Sequence, residues 1–119
     1  MVYVLLFTLL LFFGCQKEVT VPQHLIGVWE TSGPKYADCY IRITEDSLIF
    51  GVGEGTELLH TIVKIEDTQK NNGIIYTFHY KDSEGEKWTL SLLYNPDSGG
   101  AIQLQNRQEI WKKVEPGGT

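Results

Sequence analysis

The side chains of this sequence that could do chemistry are two cysteines, three histidines and several short acidic runs. Catalysis by Cys39 would need a histidine on the same face of the chain, and the strand alternation described below turns His60 and His79 to the other face. These histidines are predicted to lie opposite each other, but no third ligand accompanies them, and zinc sites need three or four. No Ser-His-Asp arrangement occurs. We therefore predict no enzyme, no catalytic residue, no metal site and no cofactor.

Two further motifs have the composition of ligand loops but the wrong context. Residues 51–55 (Gly-Val-Gly-Glu-Gly) superficially match a phosphate-binding loop, which needs a helix after it. A predicted strand follows them instead. Residues 82–86 (Asp-Ser-Glu-Gly-Glu) lack the ligand spacing of a calcium loop. Both segments are predicted to be turns.

Length and charge set the broad class. The chain has 119 residues, which is the size of one domain, and its formal net charge is −5. An acidic chain without a basic run is a poor partner for nucleic acid, because such binding neutralises phosphates. Aromatic residues make up 12% of the chain, enough apolar surface to argue against disorder.

From residue 27 onward the hydrophobic pattern has period two, with turn residues every eight to twelve positions. This pattern is typical of all-β sandwiches and barrels. It predicts an antiparallel, eight-stranded, up-and-down meander, and closure into a small barrel would remove its exposed edges. The predicted strands cover residues 27–31, 38–44, 47–52, 58–66, 73–81, 86–94, 101–105 and 109–114.

The registers of three hairpins can be tested against one another, because a slip of one residue turns every side chain to the other face. A turn at residues 45–46 places Ile43 opposite Leu48. A turn between residues 69 and 70 is predicted to place His60 opposite His79, and a turn around residue 84 places Tyr80 opposite Trp88. The resulting interior is Trp29, Cys39, Ile41, Ile43, Leu48, Phe50, Val52, Thr61, Val63, Tyr76, Phe78, Tyr80, Trp88, Leu90, Leu92 and Tyr94.

Two questions about this barrel stay open in the sequence. The interior is either filled by its own side chains or holds one small ligand, and either Ile110 or Trp111 of the last strand points inward. A pocket would open where loops 32–37, 53–57, 82–86 and 106–108 meet. There we predict a ligand site with Tyr80 and Trp88 as an aromatic wall, Tyr36 on a mobile lid, and Cys39 nearby. The rim of that opening is Tyr36, Cys39, Val52, Leu59, Tyr80 and Trp88.

The first residues form an uncharged apolar run over positions 2–13, which fits the core of a secretory signal and is too short to span a bilayer. Residues 11–15 (Leu-Phe-Phe-Gly-Cys) resemble the lipobox of bacterial lipoproteins. The resemblance implies that residues 1–14 are a signal peptide, that Cys15 carries acyl chains such as palmitate, and that residues 15–22 are a lipidated tether. Cys39 would then be a free thiol.

The residues after Cys15 carry a destination signal in this resemblance. Gln16 stands where an aspartate would retain such a lipoprotein in the inner membrane, so the resemblance implies a lipid anchor in the outer membrane of the cell envelope. Residues 15–18 also resemble a short tag for surface export. The protein is therefore expected on either the periplasmic or the surface face.

Residues 27–29 (Gly-Val-Trp) resemble the Gly-x-Trp element of lipocalins, in which a short helical turn plugs one end of the barrel. The resemblance implies a lipocalin-like domain over residues 23–115, with residues 116–119 as a tail. It implies binding of a small apolar or amphipathic molecule. The alternative is a non-enzymatic interaction or structural lipoprotein with a filled core. That protein would act through an outer apolar patch of Ile62, Ile75 and Leu93, and its protein partner is unknown.

Overall fold

A computed structural model describes residues 19–114, which form a closed, all-β barrel of eight antiparallel strands paired in chain order. The predicted up-and-down meander is confirmed. The predicted signal peptide, the lipidation site at Cys15 and the tail at 116–119 lie outside the described residues. The strands are β1 Gly27–Thr31, β2 Cys39–Ile43, β3 Ser47–Val52, β4 Glu57–Lys70, β5 Gly73–Lys81, β6 Lys87–Asn95, β7 Ala101–Leu104 and β8 Trp111–Lys113. Short 3₁₀ turns cover Gln23–Leu25, Pro34–Tyr36 and Asp97–Gly99.

Two of the three predicted hairpin registers are confirmed. In the β2–β3 hairpin, Ile43 lies opposite Leu48. In the β5–β6 hairpin, Tyr80 lies opposite Trp88 and Phe78 opposite Leu90. Both hairpins have short loops with well-defined turn residues, and a short loop determines the pairing of its flanking strands.

The predicted register of the β4–β5 hairpin is wrong. The turn consists of two asparagines, so that Lys70 pairs with Gly73, and a β-bulge between Ile62 and Lys64 shifts the ladder once more. Gly73 has a φ of +153°, and a Cβ there would lie 2.1 Å from the Tyr94 carbonyl oxygen. The positive φ and the close approach of the Tyr94 carbonyl therefore require glycine at position 73. Because the turn occupies only residues 71–72, β4 is longer than predicted.

The new register exchanges inner and outer residues at the start of β4. Ile62, predicted to face outward, is inside and only 5% exposed, whereas Val63, predicted inside, is 45% exposed. Thr61 is exposed as well, and His60 is half-buried. His60 and His79 do not face each other, because His79 pairs with Lys64 across the bulge. A bulge adds one residue to one strand and thereby reverses the alternation.

The interior of the barrel is filled by its own side chains. Among the described residues, the buried core contains large apolar groups from every strand and no buried polar or charged residue. An eight-stranded barrel is narrow enough for side chains to occupy it completely. The core residues are Val21, Leu25, Trp29, Ile41, Ile43, Leu48, Ile62, Tyr76, Phe78, Tyr80, Leu92, Ile102 and Trp111.

The predicted plug is present at one end of the barrel. The 3₁₀ turn Gln23–Leu25 lies there, and the Trp29 indole N–H donates a hydrogen bond to the Leu25 carbonyl oxygen at 2.9 Å. Lys113 Nζ donates to the His24 carbonyl oxygen at 2.9 Å, which joins the last strand to the plug. In that last strand Trp111 points inward, while Ile110 is 46% exposed. This end of the barrel is closed.

His24 makes the closed end sensitive to acid. Its Nε2 shares a 2.8 Å hydrogen bond with the Tyr76 hydroxyl, and its ring packs on Tyr94 with centroids 4.4 Å apart. Burial, with a smaller effect from the nearby charge of Lys113, lowers the pKa of His24 below its ordinary value of 6.5. As the pH falls, the unfolded chain therefore binds a proton on His24 before the folded chain does. The contribution of neutral His24 to the stability of the fold is lost as the pH falls below 6.5.

We expect His24→Gln to remove this part of the pH dependence. The thermal midpoint of the unsubstituted protein should fall between about pH 7 and pH 5.5, above the titration range of most carboxylates. The variant should have a flatter profile over that window. Parallel profiles for the two proteins, measured by circular dichroism, would contradict the assignment to His24.

Candidate binding site at the open end of the barrel

The open end carries a cleft because β4 extends beyond its neighbour β5. Thr61 pairs with Lys81, the last residue of β5, and Glu57–His60 continue past that point along β3. The chain after Lys81 turns away into the hairpin of residues 82–86. The resulting cleft has a volume of about 620 Å³ and is lined by residues 57–61 together with Asp82, Ser83 and Trp88.

Large apolar side chains are exposed around this cleft. Leu58 is 47% exposed, Leu59 61% and Trp88 49%. Most apolar groups this large are buried in a folded domain, and a cluster of exposed ones marks a binding surface. Each Å² of apolar area covered by a ligand contributes roughly 25 cal/mol. The cleft can therefore bind an apolar group although the barrel interior is full.

The His60 imidazole lines the cleft and packs against two aromatic rings. The His60 ring meets the Tyr80 ring edge-on at 5.0 Å between centroids and the Phe50 ring at 5.2 Å. His60 Nδ1 lies 3.2 Å from the Leu48 carbonyl oxygen. These contacts orient the imidazole beside the apolar wall, where it provides a polar group for a ligand.

Asp82 holds Trp88 in place. One oxygen of its carboxylate accepts hydrogen bonds from the backbone N–H groups of Glu84 and Glu86, both at 2.9 Å, and the other accepts from the Trp88 indole N–H at 3.3 Å. The bond from the Glu86 backbone, followed in effect by that from Trp88, lowers the pKa of Asp82. The ionised carboxylate thus fixes both the turn and the indole, so the cleft is preformed.

The structure brings together only part of the predicted ligand site. Tyr80 and Trp88 lie opposite each other as expected. Tyr36 packs against Trp111 instead, with ring centroids 5.6 Å apart, and Cys39 lies half-buried opposite Val52. Of the four predicted site residues only Trp88 lines the cleft; Tyr36, Cys39 and Tyr80 do not. Cys39 has no disulfide partner within residues 19–114.

Several cleft residues escaped the sequence prediction, among them Leu58, His60 and Asp82. Leu58 and His60 depend on the register of β4, which the alternation of apolar residues did not reveal. Asp82 has a visible signal, since an aspartate that begins a tight turn commonly accepts the backbone N–H groups that follow it. No comparable sequence signal predicts that the Asp82 carboxylate also accepts a hydrogen bond from the indole of Trp88.

The structure places His60 and His79 on different faces of the sheet. His79 lies on the outer face, where its Nε2 is 2.6 Å from a carboxylate oxygen of Glu66, while His60 lines the cleft. Within residues 19–114, no group of three or more His, Cys, Asp or Glu side chains is placed to hold a metal ion.

The chain matches no protein-family model, no curated protein and no solved structure. Across the described residues, no helix has the length and apolar character needed to cross a membrane.

Proposed function

We propose that this chain is an envelope-anchored, lipocalin-like lipoprotein that binds a small apolar or amphipathic molecule and catalyses no reaction. The observation that carries the binding proposal is the group of exposed apolar side chains, Leu58, Leu59 and Trp88, around one preformed cleft. With the interior filled and the opposite end closed, the ligand lies at the open end rather than deep in the barrel.

The size and charges of the cleft define the class of ligand. Its volume of about 620 Å³ lies within the range of roughly 300–1,000 Å³ typical of small-molecule sites. Both carboxylates at its edge already have partners: Glu57 pairs with Arg42 at 3.1 Å, and Asp82 accepts the hydrogen bonds of its own turn. A mainly apolar ligand with a few polar atoms fits this lining better than an ion does.

A fluorescence titration tests the binding proposal. N-phenyl-1-naphthylamine, a neutral apolar dye, should bind with saturation and quench Trp88 by energy transfer. Trp88→Ala should weaken binding of the dye at least roughly tenfold, because about 60 Å² of lost apolar contact is worth about 1.5 kcal/mol. The dye's own emission reports its binding to this variant.

Ile110→Ala is the matched control. Ile110 is 46% exposed, nearly as much as Trp88, and does not line the cleft. This variant should bind the dye like the unsubstituted protein. Equal weakening in both variants, or the absence of saturable binding, would reject the cleft as the site.

The anchor proposal rests on Cys15 and the lipobox-like residues before it. In a bacterial host, Cys15→Ser should abolish incorporation of labelled palmitate and release the protein from membranes washed at high salt, which removes any charge-based contact. Acyl chains contribute about 0.8 kcal/mol per buried methylene, so their loss removes stable anchoring. Cys39→Ser, the matched control, should leave labelling and membrane association intact. Palmitate labelling that persists in Cys15→Ser would refute the assignment.

The filled interior also favours the second candidate, an interaction protein that acts through its outer sheet face. A shallow groove of about 150 Å³ on that face includes Ile75 and Leu93, both half-buried. Ile62 is not part of it, because the observed register places Ile62 in the core. This candidate becomes the better one if the folded protein binds no apolar dye.

A further inference from the structure

A second surface, on the outer face of strands β4–β6, carries positive charge in an acidic chain. We define the basic face as Lys64, Lys81 and Lys87, with the His79 side chain between them. Lys64 pairs with His79 in the β4–β5 ladder, and Lys81 pairs with Lys87 in the β5–β6 ladder. A cleft of about 380 Å³ lies here, and its lining includes Lys64, His79 and Lys87 but no Asp or Glu.

The charges of this face are incompletely balanced. The Glu66 carboxylate borders this face, with one oxygen 2.6 Å from His79 Nε2 and the other 3.6 Å from Lys64 Nζ. Within residues 19–114, neither Lys81 nor Lys87 has a carboxylate partner. Like charges directly opposite each other in a β-ladder are destabilising. The fold therefore tolerates a repulsion that an anionic partner would relieve.

Apolar groups border the basic face. Val63, displaced outward by the bulge, is 45% exposed, and Trp88 is 49% exposed. Both line the same cleft as Lys64 and Lys87. Tryptophan is favoured where one side of a side chain meets apolar material and the other meets water. A free anion would satisfy the lysines and leave these two side chains in water.

We propose that the basic face docks on the anionic headgroups of a membrane surface, with Val63 and Trp88 entering its apolar boundary. Flexible lysine side chains around a pair of exposed apolar groups suit a fluid, negatively charged surface, where each lysine adds attraction. The contact needs neither acyl chains on Cys15 nor a ligand in the open-end cleft. Trp88 borders both clefts, so the lysines, which do not line the open-end cleft, distinguish this contact from the proposed function.

The experiment compares vesicles of phosphatidylcholine alone with vesicles that also contain phosphatidylglycerol. The full chain carries Cys15→Ser throughout, so that no acyl chain contributes. Binding is expressed as the ratio of the partition coefficients for the two vesicle types. This ratio cancels the affinity of the apolar residues 2–13, which every variant shares.

Lys64→Gln combined with Lys87→Gln should lower the preference for phosphatidylglycerol by at least roughly fivefold. An unpaired lysine at an anionic surface contributes about fivefold, and Lys64, paired with Glu66, contributes less than Lys87. The matched control, Lys35→Gln combined with Lys70→Gln, removes the same charge elsewhere and should keep the preference. A high chloride concentration should abolish the preference in the chain that carries Cys15→Ser alone. Equal losses in both double variants would overturn the proposal.

Lys81→Gln tests the basic face with two readouts, vesicle preference and thermal stability. It should lower the vesicle preference about fivefold while raising the thermal midpoint, because it removes the repulsion with Lys87. A lower midpoint with unchanged preference would contradict the proposed role of this face.

A competition experiment with inorganic phosphate distinguishes membrane docking from binding of a free anion. At equal ionic strength phosphate should displace the chain from vesicles no better than chloride does. Saturable binding of phosphate that competes with the vesicles would show a pocket for a free anion and would overturn membrane docking.

Discussion

Trp29→Ala is expected to destabilise the barrel by about 3–5 kcal/mol, the usual cost of removing a large aromatic side chain from a core. The Trp29 side chain is fully buried. Its indole N–H also bonds to the Leu25 carbonyl oxygen, which joins the first strand to the plug. The substitution would therefore leave a cavity and release the plug together.

The matched control is the same substitution at Trp88. Because Trp88 is 49% exposed, Trp88→Ala should cost less than about 1 kcal/mol of stability. Denaturant unfolding followed by circular dichroism measures both values. Similar costs for the two tryptophans would mean that Trp29 does not hold the closed end together.

Ile62→Lys is expected to be more damaging than Val63→Lys, by at least about 3 kcal/mol, because an unpaired charge in the core is expensive. Ile62 is 5% exposed and lies opposite Tyr80, whereas Val63 sits in the bulge and is 45% exposed. Val63→Lys should change the free energy of unfolding by roughly 0.5 kcal/mol or less.

This pair of variants separates the observed register from the one that simple alternation predicts. Alternation without a bulge would place Val63 inside and Ile62 outside, which reverses the order of the two effects. Unfolding midpoints of the two purified variants are sufficient to decide. A folded Ile62→Lys variant beside an unfolded Val63→Lys variant would refute the described β4 strand.

Two of the three hairpin registers were predictable because only one register buries the apolar residues of those hairpins. In the β2–β3 hairpin, Ile43 and Leu48 flank a short turn, and a slip by one residue would expose both. The β5–β6 hairpin is similarly constrained by Tyr80 and Trp88. The plug was predictable because of the Gly-x-Trp element that follows it.

Strand β4 was not predictable in the same way. Ile62, Val63 and Ile65 are all apolar, so the segment offers an apolar face in either register. The choice depends on the tight turn before Gly73 and on a bulge, and bulges have no strong local sequence signal. Every error in the predicted site that involves His60 or Leu58 follows from this one strand.

The functional proposal follows from how the barrel is filled. Aliphatic and aromatic side chains together occupy the lumen, and the 3₁₀ turn with His24 closes one end. The mismatch in length between β4 and β5 then leaves apolar side chains uncovered at the other end. A barrel whose lumen is too narrow for a ligand can still bind an apolar compound at this rim.

Mapping of backbone amide chemical shifts during titration with N-phenyl-1-naphthylamine tests the central claim most directly. We expect saturable shifts confined to residues 57–61, 80 and 82–88, with the closed-end residues 23–25 unchanged. Shifts centred on residues 36 and 39, on the outer face around Ile75, or on no defined region would contradict ligand binding at the open-end cleft.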